Sequence, residues 1–356
     1  MKAMVLAAGL GHRLRPLTAY WAKAAMPVLG RPLIHYTLSL LDRAGVREVV
    51  VNLHHRPETV TAALADGGFG RLKIHFSPEP EILGTAGGIK KAETVLGRQT
   101  FLLLNGDTLV NCDFQAMVDW HRRKKARATL LLREREGGSD YTVIAVDRSG
   151  RIRSLGGAEK PGKPSLMFAG VWVLEPEILD LIAPERFARL EVDILPRLVA
   201  ERVAFGYVQD VPWFDLGSPR RYLNACLTVL RQDLFRDLWQ ATPIAGPASL
   251  ADESCVVAGP GSAIDPDATF GGEVVLGAGV TVGRGALVER SILWDGVSVG
   301  EGAFVRSAIV ASGVSLAPRS RTLGKVVVKV EELDRDRRLF RAREIVAGHV
   351  IASLVG

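Results

Sequence analysis

The chain has 356 residues, 47% of them hydrophobic and 24% charged, with 45 Lys and Arg against 39 Asp and Glu for a formal charge of +6. This balance excludes a disordered chain and supplies material for two globular domains at roughly 150 residues each. Three scattered cysteines, Cys112, Cys226 and Cys255, match neither a disulfide framework nor a metal knuckle, so a reducing, cytoplasmic setting is expected.

The apolar run at 3–8 is shorter than a signal h-region and leads into Gly-His-Arg instead of a small-residue cleavage site. No uninterrupted apolar stretch reaches the ~18 residues of a membrane span, so no membrane partner is expected. Strands are predicted over 5–8, 48–53, 72–76 and 101–104, which are short, nearly continuous apolar segments rich in branched residues. Between them, 32–44 has helical spacing at Leu33, Tyr36, Thr37, Leu40 and Leu41 with Pro32 in the first turn, and 57–65 and 86–96 behave similarly. Strands separated by helices imply parallel pairing, because parallel neighbours need crossover connections. The basic run "HRRKKAR" at 121–127 follows an amphipathic stretch (Phe114, Met117, Val118) and reads as a solvated helix end, so no nucleic-acid partner is expected.

Beyond about residue 129, extended segments at 129–133, 141–146, 168–174 and 203–208 alternate with helices starting at Pro176, Val192 and Pro219. They are expected to extend the first sheet and to cover its carboxyl edge. Residues 220–238 predict one long helix, ending before the proline and glycine cluster "TPIAGP". The expected organisation is an α/β domain over 1–240, a linker over 241–249 and a second domain over 250–356.

The second domain has its own grammar. Aliphatic residues recur six apart at Leu276, Val282 and Val288, and again at Val299 and Val305, with Gly277, Gly283 and Gly300 directly following. This is the hexapeptide repeat of a parallel β-helix, each aliphatic residue filling a central column and each small residue permitting a corner. An ordinary β-sandwich, the alternative, does not generate glycine at fixed phase in that period. Trp294-Asp295-Gly296 interrupts the repeat and predicts a turn with altered register, and the charged "EELDRDRRLFRARE" predicts a helical tail.

The candidate chemistry begins where the first strand meets Ala8-Gly9-Leu10-Gly11-His12-Arg13. Glycines let a backbone approach a polyphosphate closely, successive N–H groups can converge on it, and a guanidinium can bridge its oxygens. The segment is neither Gly-x-Gly-x-x-Gly nor a Walker A loop, and taken alone Gly-x-Gly carries little.

Five segments together carry more. "LAAGLGHRLRPLT" with "KAAMPVLGRPLI", then "EPEILGTAGGI", "LLLNGD", "EKP" and "WFDLGS", resemble in order the signatures of the sugar-1-phosphate nucleotidyltransferases, and the resemblance covers the whole chain. It implies a Rossmann-like catalytic domain with a mostly parallel sheet, followed by a left-handed parallel β-helix. It also implies attack of a sugar-1-phosphate oxygen on the α-phosphorus of a nucleoside triphosphate, with loss of pyrophosphate. The matching positions make Arg13, Lys23, Asp107 and Asp215 catalytic, with Asp107 and Asp215 holding Mg²⁺. They assign Leu6, Ala7, Ala8, Gly9, Gly11, Glu79, Gly84, Thr85 and Asn105 to the nucleotide, and Thr142, Glu159, Lys160 and Gly170 to the sugar phosphate.

Asp107 follows an apolar strand, the carboxyl edge at which open α/β sheets bind ligands. Arg13 would steady the β- and γ-phosphates, Lys23 would sit by the α-phosphate, and cationic screening lets two anions meet. Three departures stand out: Ala22-Lys23-Ala24 where the family has flanking prolines, His12 where threonine is frequent, and Tyr141-Thr142 where glycine is frequent. The first bears on the rigidity of the loop more than on its charge. Thr142 either narrows the sugar pocket or adds a hydroxyl contact, and the sequence leaves both open.

Glu79 stands where pyrimidine-specific relatives place an amide. An ionised carboxylate accepts hydrogen bonds only, which suits the adjacent donors of guanine and favours GTP, with mannose-1-phosphate as acceptor. The alternatives are a thymidylyl- or uridylyltransferase acting on glucose-1-phosphate or another sugar-1-phosphate, and a non-catalytic regulatory subunit. Acyl transfer, which hexapeptide solenoids also host, commonly uses a histidine base, and none occurs between Gly246 and Gly348. The solenoid is expected to mediate homo-oligomerisation.

Overall fold

The computed structural model describes residues 1–65, 69–135, 140–157, 165–239, 242–243, 249–250, 254–329, 344–346 and 349–354. The chain divides into two compact units, one of Met1–Gly9 with Thr37–Phe214 and one of Leu10–Tyr36 with Asp215–Gly356. Among the described residues no helix is long and apolar enough to cross a membrane.

The first unit is built on a nine-stranded sheet. Lys2–Leu6 lies between Glu48–Leu53 and Phe101–Asn105, with Lys73–Pro78 beyond Glu48–Leu53, all parallel. These are the apolar runs of the sequence, and Ala3, Met4, Val5, Val49 and Leu103 are fully buried, as strands covered on both faces must be. Leu166–Leu174 then adds antiparallel to Phe101–Asn105 and to Ala128–Glu134, which Ala204–Val208 joins in parallel. Ile144–Val146 and Ile152–Leu155 form an antiparallel pair attached at Leu166. The sheet is thus parallel through its centre, with antiparallel additions around one long strand.

Several elements differ in extent from the sequence expectation. The first strand runs from Lys2 to Leu6 and frees Ala7, Ala8 and Gly9 from the sheet. The helix expected over 86–96 breaks at Ala92 into Gly84–Lys91 and Glu93–Leu96. The helix expected over 220–238 is Pro219–Arg231, because Asp233 and Phe235 take left-handed backbone at φ 52° and 55°, which a helix cannot pass through. Ser218 caps its start by accepting from the Arg221 N–H. In the basic run, Arg122 and Arg123 are exposed at the end of the Phe114–Lys124 helix, but His121 is fully buried, bonded to Thr129 Oγ1 and Glu175 Oε1.

In the second unit the repeat folds into short strands stacked in parallel. Val256 pairs with Val274, Val274 with Ser291 and Ile292 with Ile309, offsets of 18, 17 and 17 residues that amount to three hexapeptides per coil. Three columns of left-handed residues mark the corners: Gly261, Gly279, Gly296 and Gly313; Gly285, Gly302 and Arg319; and Gly272, Arg290, Ser307 and Gly324. The change from 18 to 17 falls between Gly271 and Val274, where the register shifts, instead of at Trp294. Phe270, Leu276, Val282, Val288, Val299 and Val305 fill the column inside.

Of the expected helical tail, 330–343 lies outside the described residues. Glu344–Val346 and His349–Ser353 are strands, pairing antiparallel with each other and with Lys325–Lys329. A β-branched sequence (Ile345, Val346, Val350, Ile351) here continues a sheet that would otherwise end on an open edge.

Candidate active site

In the first unit the candidate residues gather at the carboxyl ends of the parallel strands. Gly106 N–H donates to the Leu6 carbonyl at 2.9 Å, and a Cβ on Gly106 would stand 2.5 Å from that oxygen, so only glycine permits the approach. Asn105 pairs in register with Leu6, and Asp107 follows, half-buried. Gly170, at φ 87° in the irregular part of Leu166–Leu174, packs on Thr108, where a Cβ would meet Oγ1 at 3.2 Å. The structure therefore brings Gly170 against the residue next to Asp107. Thr142 is exposed, while its neighbour Tyr141 stacks edge-on against Trp213, with ring centroids 5.3 Å apart. The Arg133 guanidinium lies over the same Trp213 ring at 5.4 Å. Glu159 and Lys160 lie outside the described residues.

Glu79 lies inside a network of the protein's own hydrogen bonds. It is 3% exposed, and its carboxylate accepts from Asn52 Nδ2 at 2.7 Å and from the Leu83 N–H at 2.9 Å. Asn52, itself 2% exposed, uses its Oδ1 to accept from the Ala7 N–H at 2.7 Å. A Cβ on Gly88 would lie 2.8 Å from Glu79 Oε1, so the helix backbone closes over the pair. In this arrangement Glu79 ties the loop start at Ala7 to the 79–88 segment. Buried carboxylates need such partners, and Asn52 and Leu83 supply them.

Gly84 and Thr85 are likewise engaged internally. The Ala188 carbonyl accepts from the N–H groups of Ala86 and Gly87 at 2.9 and 3.3 Å, and Thr85 Oγ1 accepts from Leu190 N–H and donates to Glu191 Oε2. A Cβ on Gly84, at φ 72°, would stand 2.5 Å from the Ala188 carbonyl oxygen. These two positions therefore seat the 186–191 segment on the start of the Gly84–Lys91 helix. By contrast, Gly9 is exposed and a Cβ there would meet no protein atom within 4 Å, so the protein's own packing does not demand glycine at that position.

The cationic groups belong to the second unit. Gly11 takes φ 66°, its carbonyl accepts from Thr18 Oγ1 and the Leu14 N–H, and a Cβ would be 2.7 Å from Thr18 Cγ2. Arg13 sits exposed on the short turn that follows. Lys23 opens another short turn between Ala22, 0% exposed, and Ala24, 1% exposed. Burial thus supplies the firmness that flanking prolines give elsewhere, and Ala22 at φ −62° already has a proline-like backbone.

Asp215 accepts from Arg221 Nη1 at 2.6 Å. A Cβ on Gly217 would stand 2.7 Å from Asp215 Oδ1 and 3.2 Å from Arg13 Nη2, so glycine lets the aspartate and Arg13 reach one point. Sequence reasoning named Arg13 and Asp215 separately and missed Arg221 and Asn52. The signal for Asn52 was an amide inside an apolar strand, a group that must find partners once buried.

Asp107 and Asp215 are hard oxygen donors of the kind that holds a divalent ion together with phosphate oxygens. Among the described residues no group of three or more His, Cys, Asp or Glu is placed to hold a metal ion.

The chain is similar to several known proteins. Residues 253–348 match the model described as GMPPB C-terminal domain. The mannose-1-phosphate guanylyltransferase of Mycobacterium tuberculosis is 29% identical over 297 residues, 82% of this chain and 79% of that one. A probable mannose-1-phosphate guanylyltransferase 1 of Oryza sativa is 31% identical over 304 residues, 82% and 83% of the two chains. The UTP–glucose-1-phosphate uridylyltransferase of Synechocystis sp. is 33% identical over 252 residues, 66% and 64%. In fold, HddC from Yersinia pseudotuberculosis superposes with a TM-score of 0.56 at 24% identity, over 64% of this chain and 98% of that one. Since residues 2–232, more than half of the chain, match the family model described as Nucleotidyl transferase, the chain belongs to the nucleotidyl transferase family and is an enzyme.

Proposed function

We propose that this enzyme transfers a guanylyl group from GTP to mannose-1-phosphate, giving GDP-mannose and pyrophosphate. The observation that carries the reading is the pair of relatives named for that activity, each aligned over 82% of the chain. The match of 253–348 to the GMPPB C-terminal domain supports it. The base argument built on Glu79 is no part of the support, because that carboxylate is occupied within the protein.

The chemistry asks little covalent work of the protein. A phosphate oxygen of the sugar phosphate attacks the α-phosphorus, the bond from that phosphorus to the α,β-bridging oxygen breaks, and pyrophosphate leaves with the electron pair. Arg13 neutralises the departing phosphates and Lys23 the α-phosphate, each acting as fixed positive charge in the transition state. Asp107 and Asp215 are the carboxylates we assign to Mg²⁺, which when bound supplies Lewis-acid polarisation of phosphate oxygens. Arg221 competes with the ion for Asp215, to which it is paired at 2.6 Å, and Gly9 leaves space for a phosphate against the loop backbone. Glu159 and Lys160 are assigned to the sugar hydroxyls and its phosphate.

A second reading, uridylyl transfer to glucose-1-phosphate, has the Synechocystis relative in its favour. Pyrophosphate release by the purified chain, measured with each of the four nucleotides against mannose- and glucose-1-phosphate, separates the two. GTP with mannose-1-phosphate is expected to give the highest kcat/KM; UTP with glucose-1-phosphate would support the second reading, and no release with any pair would overturn both.

A further inference from the structure

Tyr20 and Trp21 lie between the Arg13 turn and Lys23, and the reaction proposed above gives them no task. Both face the coils. Tyr20 Oη donates to the Lys329 carbonyl at 2.7 Å. The Trp21 ring meets Trp294 edge-on, with centroids 5.9 Å apart and planes at 77°.

Trp294 is out of place as a coil residue. In the register of the stacked strands its position is occupied by Gly259 and Gly277 in the preceding coils, by Ala311 in the next and by Val328 in the one after. The equivalence is repeated in the backbone: the N–H groups of Gly259, Gly277, Trp294 and Ala311 donate in turn to the carbonyls of Leu276, Leu293, Val310 and Val327. No other described coil places an aromatic ring at this column, and a tryptophan that is only 3% exposed here is held by something outside the coil. Its indole Nε1 donates to Tyr222 Oη at 3.0 Å. Tyr222, fully buried on the Pro219–Arg231 helix, donates its own proton to the Pro27 carbonyl, four residues past Lys23. One hydroxyl thus joins a coil, the helix that begins just after Asp215, and the lysine-bearing loop. Tyr36 adds a parallel tether by donating to the Val28 carbonyl at 2.8 Å.

We infer that Trp294 is a positioning residue for the phosphate-binding loop: through Trp21 on one side and the Tyr222 hydroxyl on the other, the coil domain holds Arg13 and Lys23 in place. The inference rests on the reading of those two cations as phosphate ligands. A buried tyrosine hydroxyl that both accepts and donates leaves two unpaired groups when it is removed, so the tether is specific and not mere packing.

The test uses the full chain in two variants. Trp294→Ala installs the residue type its column already tolerates, so the coil can keep its fold; Tyr222→Phe removes only the hydroxyl. Hydrogen exchange followed by mass spectrometry is expected to show amides in 11–28 exchanging roughly tenfold faster in both, with strands 287–293 and 101–105 unchanged. The KM for the nucleoside triphosphate is expected to rise about fivefold or more while the KM for the sugar phosphate stays, a loss of binding made through one loop. Exchange in 11–28 equal to wild type, or raised only as much as in the coils, overturns the inference, as does an unchanged triphosphate KM in the active variants. A wild-type chain without nucleotidyl transfer would instead sink the proposed function, and the exchange data would still decide whether Trp294 holds the loop.

Discussion

Replacing Glu79 decides between reading a base and holding the fold. Glu79→Leu removes the acceptor of two buried donors, Asn52 Nδ2 and the Leu83 N–H, while Glu79→Gln keeps one acceptor oxygen and turns an amide NH₂ toward the other donor. Each buried donor left unpaired costs about 1–3 kcal/mol. The leucine variant should therefore lose roughly 2–6 kcal/mol and the glutamine variant roughly 1–3 kcal/mol. At about 2–4 °C per kcal/mol for a unit of this size, glutamine lowers the transition by several degrees and leucine by more. Scanning calorimetry measures the shifts, and turnover with GTP and UTP at a permissive temperature measures selectivity. If Glu79→Gln melts with the wild type and changes base preference, the carboxylate reads the nucleotide and the buried-relay account is wrong.

Asp107→Asn and Asp215→Asn should each lower kcat/KM by at least about a hundredfold, the scale of one lost electrostatic stabiliser, with unchanged circular dichroism. Arg221→Met removes a positive charge paired with Asp215 at 2.6 Å. Because the pair is partly exposed, the divalent-ion concentration for half-maximal turnover should fall only about threefold, and a rise would refute the assignment. Gly11→Ala should destabilise its unit by roughly 1–2 kcal/mol from left-handed backbone alone. Gly9→Ala, which meets no atom within 4 Å, should leave thermal stability unchanged and raise the KM for the triphosphate. Burial holds the His121 imidazole below its ordinary pKa of 6.5, against the opposing pull of Glu175. Its unfolded form gains a proton first as pH falls, so the contribution to stability is present above 6.5 and is lost toward the lower folded value. An NMR titration of the ring with a midpoint above 6.5 would contradict this.

The amino-acid sequence by itself determined whatever repeats or punctuates locally. Apolar runs at 48–53 and 101–104 became buried parallel strands, the six-residue period became stacked coils, and glycines at 11, 84, 106 and 170 marked places where a Cβ would collide or the backbone turns left-handed. Arg13 and Asp215 were each nominated by the resemblance of their short segments to a known family, without any pairing between them. Partners of buried polar groups were decided only in three dimensions. Nothing near Glu79 in the chain announces Asn52, and nothing near Thr85 announces Leu190, because strand register and loop packing bring those groups together from 27 and 105 residues away. Trp294 shows the same limit. Its phase in the repeat was visible, yet only the stacking of coils revealed that its neighbours are glycine and alanine, and only the fold placed Tyr222 and Trp21 against it. Periodicity follows from backbone geometry, which every residue shares, whereas a hydrogen-bond partner is one particular atom that the whole chain must deliver.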